Sequence, residues 1–120
     1  MDSRQLKKYN WENPPDHAMP RTQGVIDNYQ KYLKSEAHET FKDGVIKNLE
    51  KNKVFFVVNL FPYHLKPPIK HSCLWYKESL TPQEVEDYLL ENNIKWITYF
   101  ENPSYIKSVK EISHYHIFYY

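Results

Sequence analysis

Three histidines carry most of the chemistry this sequence has to offer. His114 and His116 stand two residues apart in Ser113-His114-Tyr115-His116-Ile117-Phe118. In a strand, alternate side chains share a face. Ile112, His114, His116 and Phe118 therefore point one way, and Ser113, Tyr115, Ile117 and Tyr119 the other. Two imidazoles so placed, roughly 7 Å apart at their bases, can hold a phosphate or a metal ion. His71 opens an earlier apolar segment and can join them if its strand lies beside the last one. Phosphoryl or nucleotidyl chemistry needs a nucleophilic imidazole, a group that sets its tautomer, and donors for the non-bridging oxygens. His116, His114 and His71 can fill those roles. A three-histidine metal site with an open position is the alternative. His17 and His38 read as surface residues, whereas His64 lies in a proline-rich loop within reach of a ligand.

The elements that must position these groups follow from periodicity. Residues 1–20 are polar and contain Pro14, Pro15 and Pro20, which predicts an extended N-terminal arm with Trp11 as its anchor on the domain. Residues 21–120 read as one α+β domain. Val25, Tyr29 and Tyr32 or Leu33, then Phe41, Val45 and Leu49, recur at helical spacing with a break near Ser35, so two helices or one bent helix pack on a sheet. Val54 to Leu60 is apolar on both faces, which predicts a central strand. Pro62 and Pro67-Pro68 force a crossing loop from Phe61 to Lys70, and a second strand runs from His71 to Lys77. Thr81-Pro82-Gln83-Glu84 is a capping box that starts a helix ending near Asn92-Asn93, with Glu84, Glu86, Asp87 and Glu91 on its solvated side. Ile94 to Phe100 is a third strand. Asn102-Pro103-Ser104 turns, Tyr105 to Val109 forms a short helical turn, and Ile112 to Tyr120 closes the sheet. The expected architecture is a mostly antiparallel sheet of four to five strands with two helical blocks.

Composition narrows the function classes. The chain has 120 residues, 17% of them aromatic, with 16 basic against 15 acidic side chains. That near balance disfavours a nucleic-acid polyanion and a membrane surface as partners. Only two glycines occur, so neither a P-loop nor a dinucleotide fingerprint can be written, and no cofactor is expected. The single cysteine, Cys73, excludes an internal disulfide and a cysteine-based zinc site, and reads as a small strand hydrophobe. With no signal-peptide pattern and no membrane-length apolar run, an intracellular, cytoplasmic protein is expected. The tyrosines Tyr63, Tyr76, Tyr99, Tyr115 and Tyr119 suggest a second kind of function, a recognition face that stacks on bases or packs on a protein partner.

The order of motifs resembles the histidine-triad superfamily of nucleotide hydrolases and transferases. The likeness rests on Asn59-Leu60-Phe61-Pro62-Tyr63, His71-Ser72-Cys73-Leu74, Leu80-Thr81-Pro82-Gln83-Glu84-Val85, Asn102, and His114-Tyr115-His116-Ile117-Phe118. It spans roughly residues 53–120. The resemblance implies a histidine-triad-like fold and a nucleotide or other phosphate-containing ligand. It assigns His116 as nucleophile, His114 as orienting histidine, His71 as accessory histidine and Asn59 as a ribose-side group. Ligand contacts from His64, Lys66, Lys70 and Asn102 complete the expected site. Phe118 stands where the third histidine would be, so the implied enzyme is a nucleotide phosphohydrolase with an incomplete triad. A nearer likeness, carried by His71, Trp75, Asn102-Pro103 and the closing His-x-His-x-Phe, is to a group of uncharacterised proteins from fungi and large DNA viruses.

Overall fold

The computed structural model describes residues 1–17, 19–102 and 112–120. In it α1 (Ser3–Leu6), α2 (Gln23–Leu33) and α3 (Glu36–Lys51) precede β1 (Val54–Val58) and β2 (Lys70–Tyr76). Then come α4 (Pro82–Glu91), β3 (Trp96–Phe100) and β4 (Ser113–Tyr119). The strands form one antiparallel sheet in the order β1-β2-β4-β3. The expected α+β architecture is met. The helical turn expected from Tyr105 to Val109 lies outside the described residues.

Local chemistry explains the helix boundaries. Thr22 caps α2 by accepting from the Val25 N–H at 3.3 Å. The break at Ser35 is real: its hydroxyl donates to the Tyr32 carbonyl at 2.6 Å, and the residue itself is the N-cap of α3. At α4 the capping box forms in both directions. Glu84 N–H donates to Thr81 Oγ1 at 3.2 Å, and Thr81 N–H donates to Glu84 Oε1 at 3.1 Å. The helix stops through a left-handed Asn93 (φ 57°). Asn93 N–H donates to Leu90 O and Ile94 N–H to Leu89 O, a Schellman closure. Ile94 is spent on that closure, so β3 starts at Trp96 rather than at Ile94.

Two expectations about the sheet are corrected. β1 is an edge strand, not a central one. Its two apolar faces are each covered by a helix: Phe55 and Val57 pack with Val45 and Leu49 of α3, whereas Val54 and Phe56 pack with Val85 and Leu89 of α4. Apolarity on both faces reports covered faces and says nothing about strand neighbours. The chain's last strand, expected to close the sheet, is instead inserted between β2 and β3.

The first twenty residues also differ from an extended arm. They contain α1, and Leu6 is fully buried among Met19, Tyr63, Phe100 and Phe118. Trp11, the expected anchor, is 46% exposed. Backbone bonds from His64 N–H to Pro20 O and from Lys66 N–H to Met1 O, each 2.7 Å, stitch the segment to the β1–β2 loop. Leu6→Ala is therefore expected to lower unfolding stability by about 2–5 kcal/mol, as for other buried leucines. Trp11→Ala is expected to stay within about 0.5 kcal/mol. Urea denaturation of the two variants checks this, and equal losses would show that Leu6 is not the anchor.

Candidate functional site

Register brings the singled-out residues onto one sheet face. Cys73 stands opposite His116, Trp75 opposite His114, and His71 opposite Phe118. Phe41, Val45 and Leu49 of α3 cover the Trp75 end of this face, and Leu6, Met19 and Tyr63 cover the Phe118 end. His71, His114 and His116 are consequently buried, at 4%, 6% and 3% exposure.

The imidazoles of His71 and His116 meet directly, Nε2 to Nδ1, at 2.8 Å. Burial first, and then the charges of Arg21 and His114, hold the His71 pKa well below its ordinary value, so this ring is neutral and carries one proton. The backbone N–H of Tyr63 points at His71 Nδ1 from 3.3 Å and can only donate. The proton of His71 must then sit on Nε2 and donate to His116 Nδ1. His116 in turn carries its proton on Nε2, which lies 2.9 Å from the Asn102 amide. The same amide atom is 3.0 Å from the Tyr63 hydroxyl. That atom stands as Nδ2, and a half-turn that leaves the side chain's shape unchanged puts Oδ1 in its place. In that orientation the oxygen accepts from both His116 Nε2–H and Tyr63 O–H. The result is a directional chain from the Tyr63 backbone through His71 and His116 to Asn102.

Beside this chain, α2 and α3 leave a cavity of about 80 Å³ against the sheet. Its floor holds Cys73, Trp75 and His114, and its walls are largely aromatic, with Tyr29, Tyr32, Phe41 and Phe61. Tyr32 packs on Phe61 at 4.9 Å and on His38 at 5.5 Å between ring centroids. Three of the lining residues carry a polar atom that is closed to a water-sized probe and has no hydrogen-bond partner among the described residues: Tyr32 OH, His38 Nε2 and Trp75 Nε1. An unmade hydrogen bond at a buried group costs about 1–3 kcal/mol. Burial raises the Tyr32 pKa, so its hydroxyl stays a neutral donor. Arg21 also lines the cavity. Its Nε donates to Phe61 O at 2.8 Å, and its guanidinium sits 4.6 Å from the Tyr63 ring centroid and 5.4 Å from that of Tyr29. No carboxylate lines the cavity, and none pairs with Arg21 among the described residues.

A metal was the other use expected of the histidines. The donor group the fold assembles is His71, Cys73 and His116, with ligand atoms within 4.8 Å of one another, and His114 is outside it. Cys73 is thus brought by register beside two of the histidines. The surroundings nevertheless do not fit a metal. An imidazole bound through Nε2 carries its proton on Nδ1 and donates it outward. At His71 that proton would face the Tyr63 N–H head-on. Burial also pushes the Cys73 thiol up to about 12, away from the thiolate a metal binds.

The other expected site residues divide. Asn59 lines the cavity, but its groups are engaged locally: Oδ1 accepts from Phe61 N–H at 2.8 Å, and Nδ2 lies 3.4 Å from both Cys73 Sγ and His71 Nε2. Lys70 lines a separate shallow groove of about 300 Å³ with Tyr63, His71 and Tyr119. His64 and Lys66 are exposed on the β1–β2 loop, away from both linings. The five tyrosines do not form a common exposed face. Tyr99 and Tyr115 are buried with Val85 and Leu89 of α4, and Tyr63 of the β1–β2 loop is buried beside Leu6 and Met19. The hydroxyls of Tyr76, Tyr99 and Tyr115 donate to Glu101, Glu86 and the Leu80 carbonyl. Arg21, Tyr32, His38 and the indole of Trp75 were not singled out as site residues from the sequence. Lone polar residues on amphipathic helices carry no such signal, although an arginine just ahead of the Thr22 cap, with Tyr29 two turns on, was visible.

Residues 2–120 match the family model described as a protein of unknown function, DUF3605. This chain belongs to the DUF3605 family. The DUF3605 chain is 28% identical over 86 residues to N-acetylglucosamine-induced protein 1 of Candida albicans, covering 55% of this chain and 34% of that protein. It thus spans about a third of the curated relative's length, and the expected kinship with an uncharacterised fungal group is met. A solved structure described as the crystal structure of HTC1 shares the fold, with a TM-score of 0.57, 20% identity, and coverage of 85% of this chain and 76% of that one. No helix among the described residues is long and apolar enough to cross a membrane.

The neutral His71 of this DUF3605 protein has a consequence for stability. Its folded pKa lies below that of the unfolded chain, so the unfolded state takes up a proton first. The penalty is absent above about pH 6.5 and grows as pH falls below it. In that window one such proton steepens the loss by up to about 1.4 kcal/mol per pH unit. His71→Gln is expected to flatten the dependence of the urea midpoint between pH 7.5 and 5. An unchanged slope would show that His71 is not buried as a neutral ring.

Proposed function

We propose that this DUF3605 chain binds a small phosphate-containing molecule, with its phosphate seated on Arg21 in the cavity between α2, α3 and the sheet. The observation that carries the reading is a half-buried guanidinium, stacked on two tyrosines and unpaired with any carboxylate among the described residues, in a cavity without acidic lining. A planar, fixed arginine is the usual recognition group for such an anion. His114 and Cys73 form the floor beneath it.

The expected histidine-triad chemistry enters in reduced form. His116 is buried and both its ring nitrogens are engaged, by His71 and Asn102. That favours a supporting role, in which the His71–His116–Asn102 chain holds the floor rigid, over in-line attack by His116. The cavity is far smaller than a nucleotide, so a nucleotide would enter phosphate first and leave its base outside. Because the Candida relative is named for induction by N-acetylglucosamine, sugar phosphates join nucleotides among the ligands to test.

Calorimetric titration with inorganic phosphate, adenosine and guanosine nucleotides and glucosamine 6-phosphate is expected to give saturable binding. Arg21→Gln should weaken it about 10- to 100-fold, the loss of a charge-assisted contact, with the thermal midpoint little changed. No heat from any of these ligands, or equal affinity in the variant, overturns the reading.

A further inference from the structure

The sheet has two lateral edges, and they are treated differently. β3 carries a bulge between Trp96 and Thr98, packs with α1, and is tied down where the Thr98 hydroxyl donates to the Tyr9 carbonyl at 2.7 Å. β1 has none of these devices among the described residues. Its register with β2 runs unbroken from Val54 to Val58, and Val54-Phe55-Phe56-Val57-Val58 contains neither a charge nor a proline to blunt the edge. Lys53, just ahead of the strand, pairs with Glu84 of α4. At the far end Val58 is 63% exposed and Leu60 58%.

Hydrogen-bond parity says which groups of β1 face outward. One residue past the Val58–Ser72 pair, Asn59 donates its N–H to the His71 carbonyl, so Asn59, Val57 and Phe55 are the residues that bond to β2. Val54, Phe56 and Val58 therefore turn N–H and C=O away from β2, and no backbone bond takes these groups up among the described residues. We propose that a second copy of the chain closes this edge, whatever occupies the cavity: β1 pairs antiparallel with the same strand of the other copy about a two-fold axis at Phe56, making one continuous sheet.

Symmetry selects a second copy over an unrelated strand. The outward groups are placed evenly about Phe56, so with the axis there Phe56 meets the same residue of the other copy and Val54 meets Val58. Every outward N–H and C=O of both strands then finds a partner. On the α4 side the cross-strand pairs are Phe with Phe and Val with Val, and on the α3 side Phe55 meets Val57. Such aromatic and β-branched pairs stabilise sheets, and the exposed Val58 is covered in the same step. Charge agrees with this register. Lys53 falls opposite Asn59 of the other copy, so the two lysines lie at opposite ends of the interface and no like charges meet. A net charge of +1 per chain adds little repulsion.

Sedimentation of the full chain is expected to show a monomer–dimer equilibrium, with dimer dominant at ~100 µM. Amide exchange followed by NMR should slow with rising concentration at Val54, Phe56 and Val58, and change little at Phe55 and Val57, which already bond to β2. Val58→Pro removes one outward N–H without touching the β2 ladder and should weaken the dimer about tenfold or more. Its urea midpoint, measured where the wild type is monomeric, should match wild type, which separates lost pairing from lost folding. Val58→Lys keeps the backbone and sets a charge on the edge; it is the second variant should proline disturb the strand, and it should weaken the dimer likewise. Leu90→Lys, on α4 at 71% exposure, is the control and should dimerise as wild type does. A chain still monomeric at ~1 mM overturns the inference. So does a dimer that survives both Val58 variants, one abolished by Leu90→Lys, or concentration-dependent protection confined to residues outside β1.

Discussion

A hydrogen bond between two neutral, buried imidazoles, His71 Nε2 to His116 Nδ1, is the constraint on which the centre of this molecule turns. Each ring alone would be a buried polar group in need of a partner; together they satisfy one another without bringing a charge inside. The pair can form only if β2 lies beside β4 with Cys73 opposite His116, so the polar pairing and the strand register select the same arrangement. A one-residue slip would turn His71 to the opposite face and strand His116 in an apolar core. The chain continues to Asn102 at the end of β3 and to the Tyr63 backbone in the β1–β2 loop, which ties three segments to one hydrogen-bond direction.

Around that centre the sheet is covered unevenly. α4 seals one face with Val85 and Leu89, and α3 seals half of the other with Val45 and Leu49. α2 buries none of its own residues, and it meets the domain through aromatic contacts of Tyr29 and Tyr32 with Phe61 and through Arg21 just ahead of it. Space therefore survives under α2, between it, α3 and the sheet.

Much of the fold could be read locally. The Thr81 box, the break at Ser35 and the alternation of the closing strand follow from chemistry within a few residues, and each stands where periodicity put it. The errors share one cause. β1 looked central because both its faces are apolar, yet face coverage by helices and lateral pairing by strands are independent. Trp11 looked like an anchor because it is large, whereas Leu6 fits the gap between Phe100 and Phe118. Side-chain size is a local property, and complementarity to a gap is not.

For the candidate site, the sequence by itself determined which groups were available: two histidines on one face, a third on another apolar segment, few glycines and no acidic cluster beside them. Alternation in a strand is geometric, so the shared face of His114 and His116 needed no tertiary information. Only the tertiary structure decided what these groups do to each other. Insertion of β4 between β2 and β3 buried the histidines and paired His71 with His116, and it set Cys73 and His114 on the floor of a cavity. The same packing brought Arg21, Tyr32, His38 and Trp75 around that cavity from four separate segments. Desolvation and the meeting of distant polar atoms depend on what covers a residue, and that is written in the packing of the whole chain rather than in any stretch of it.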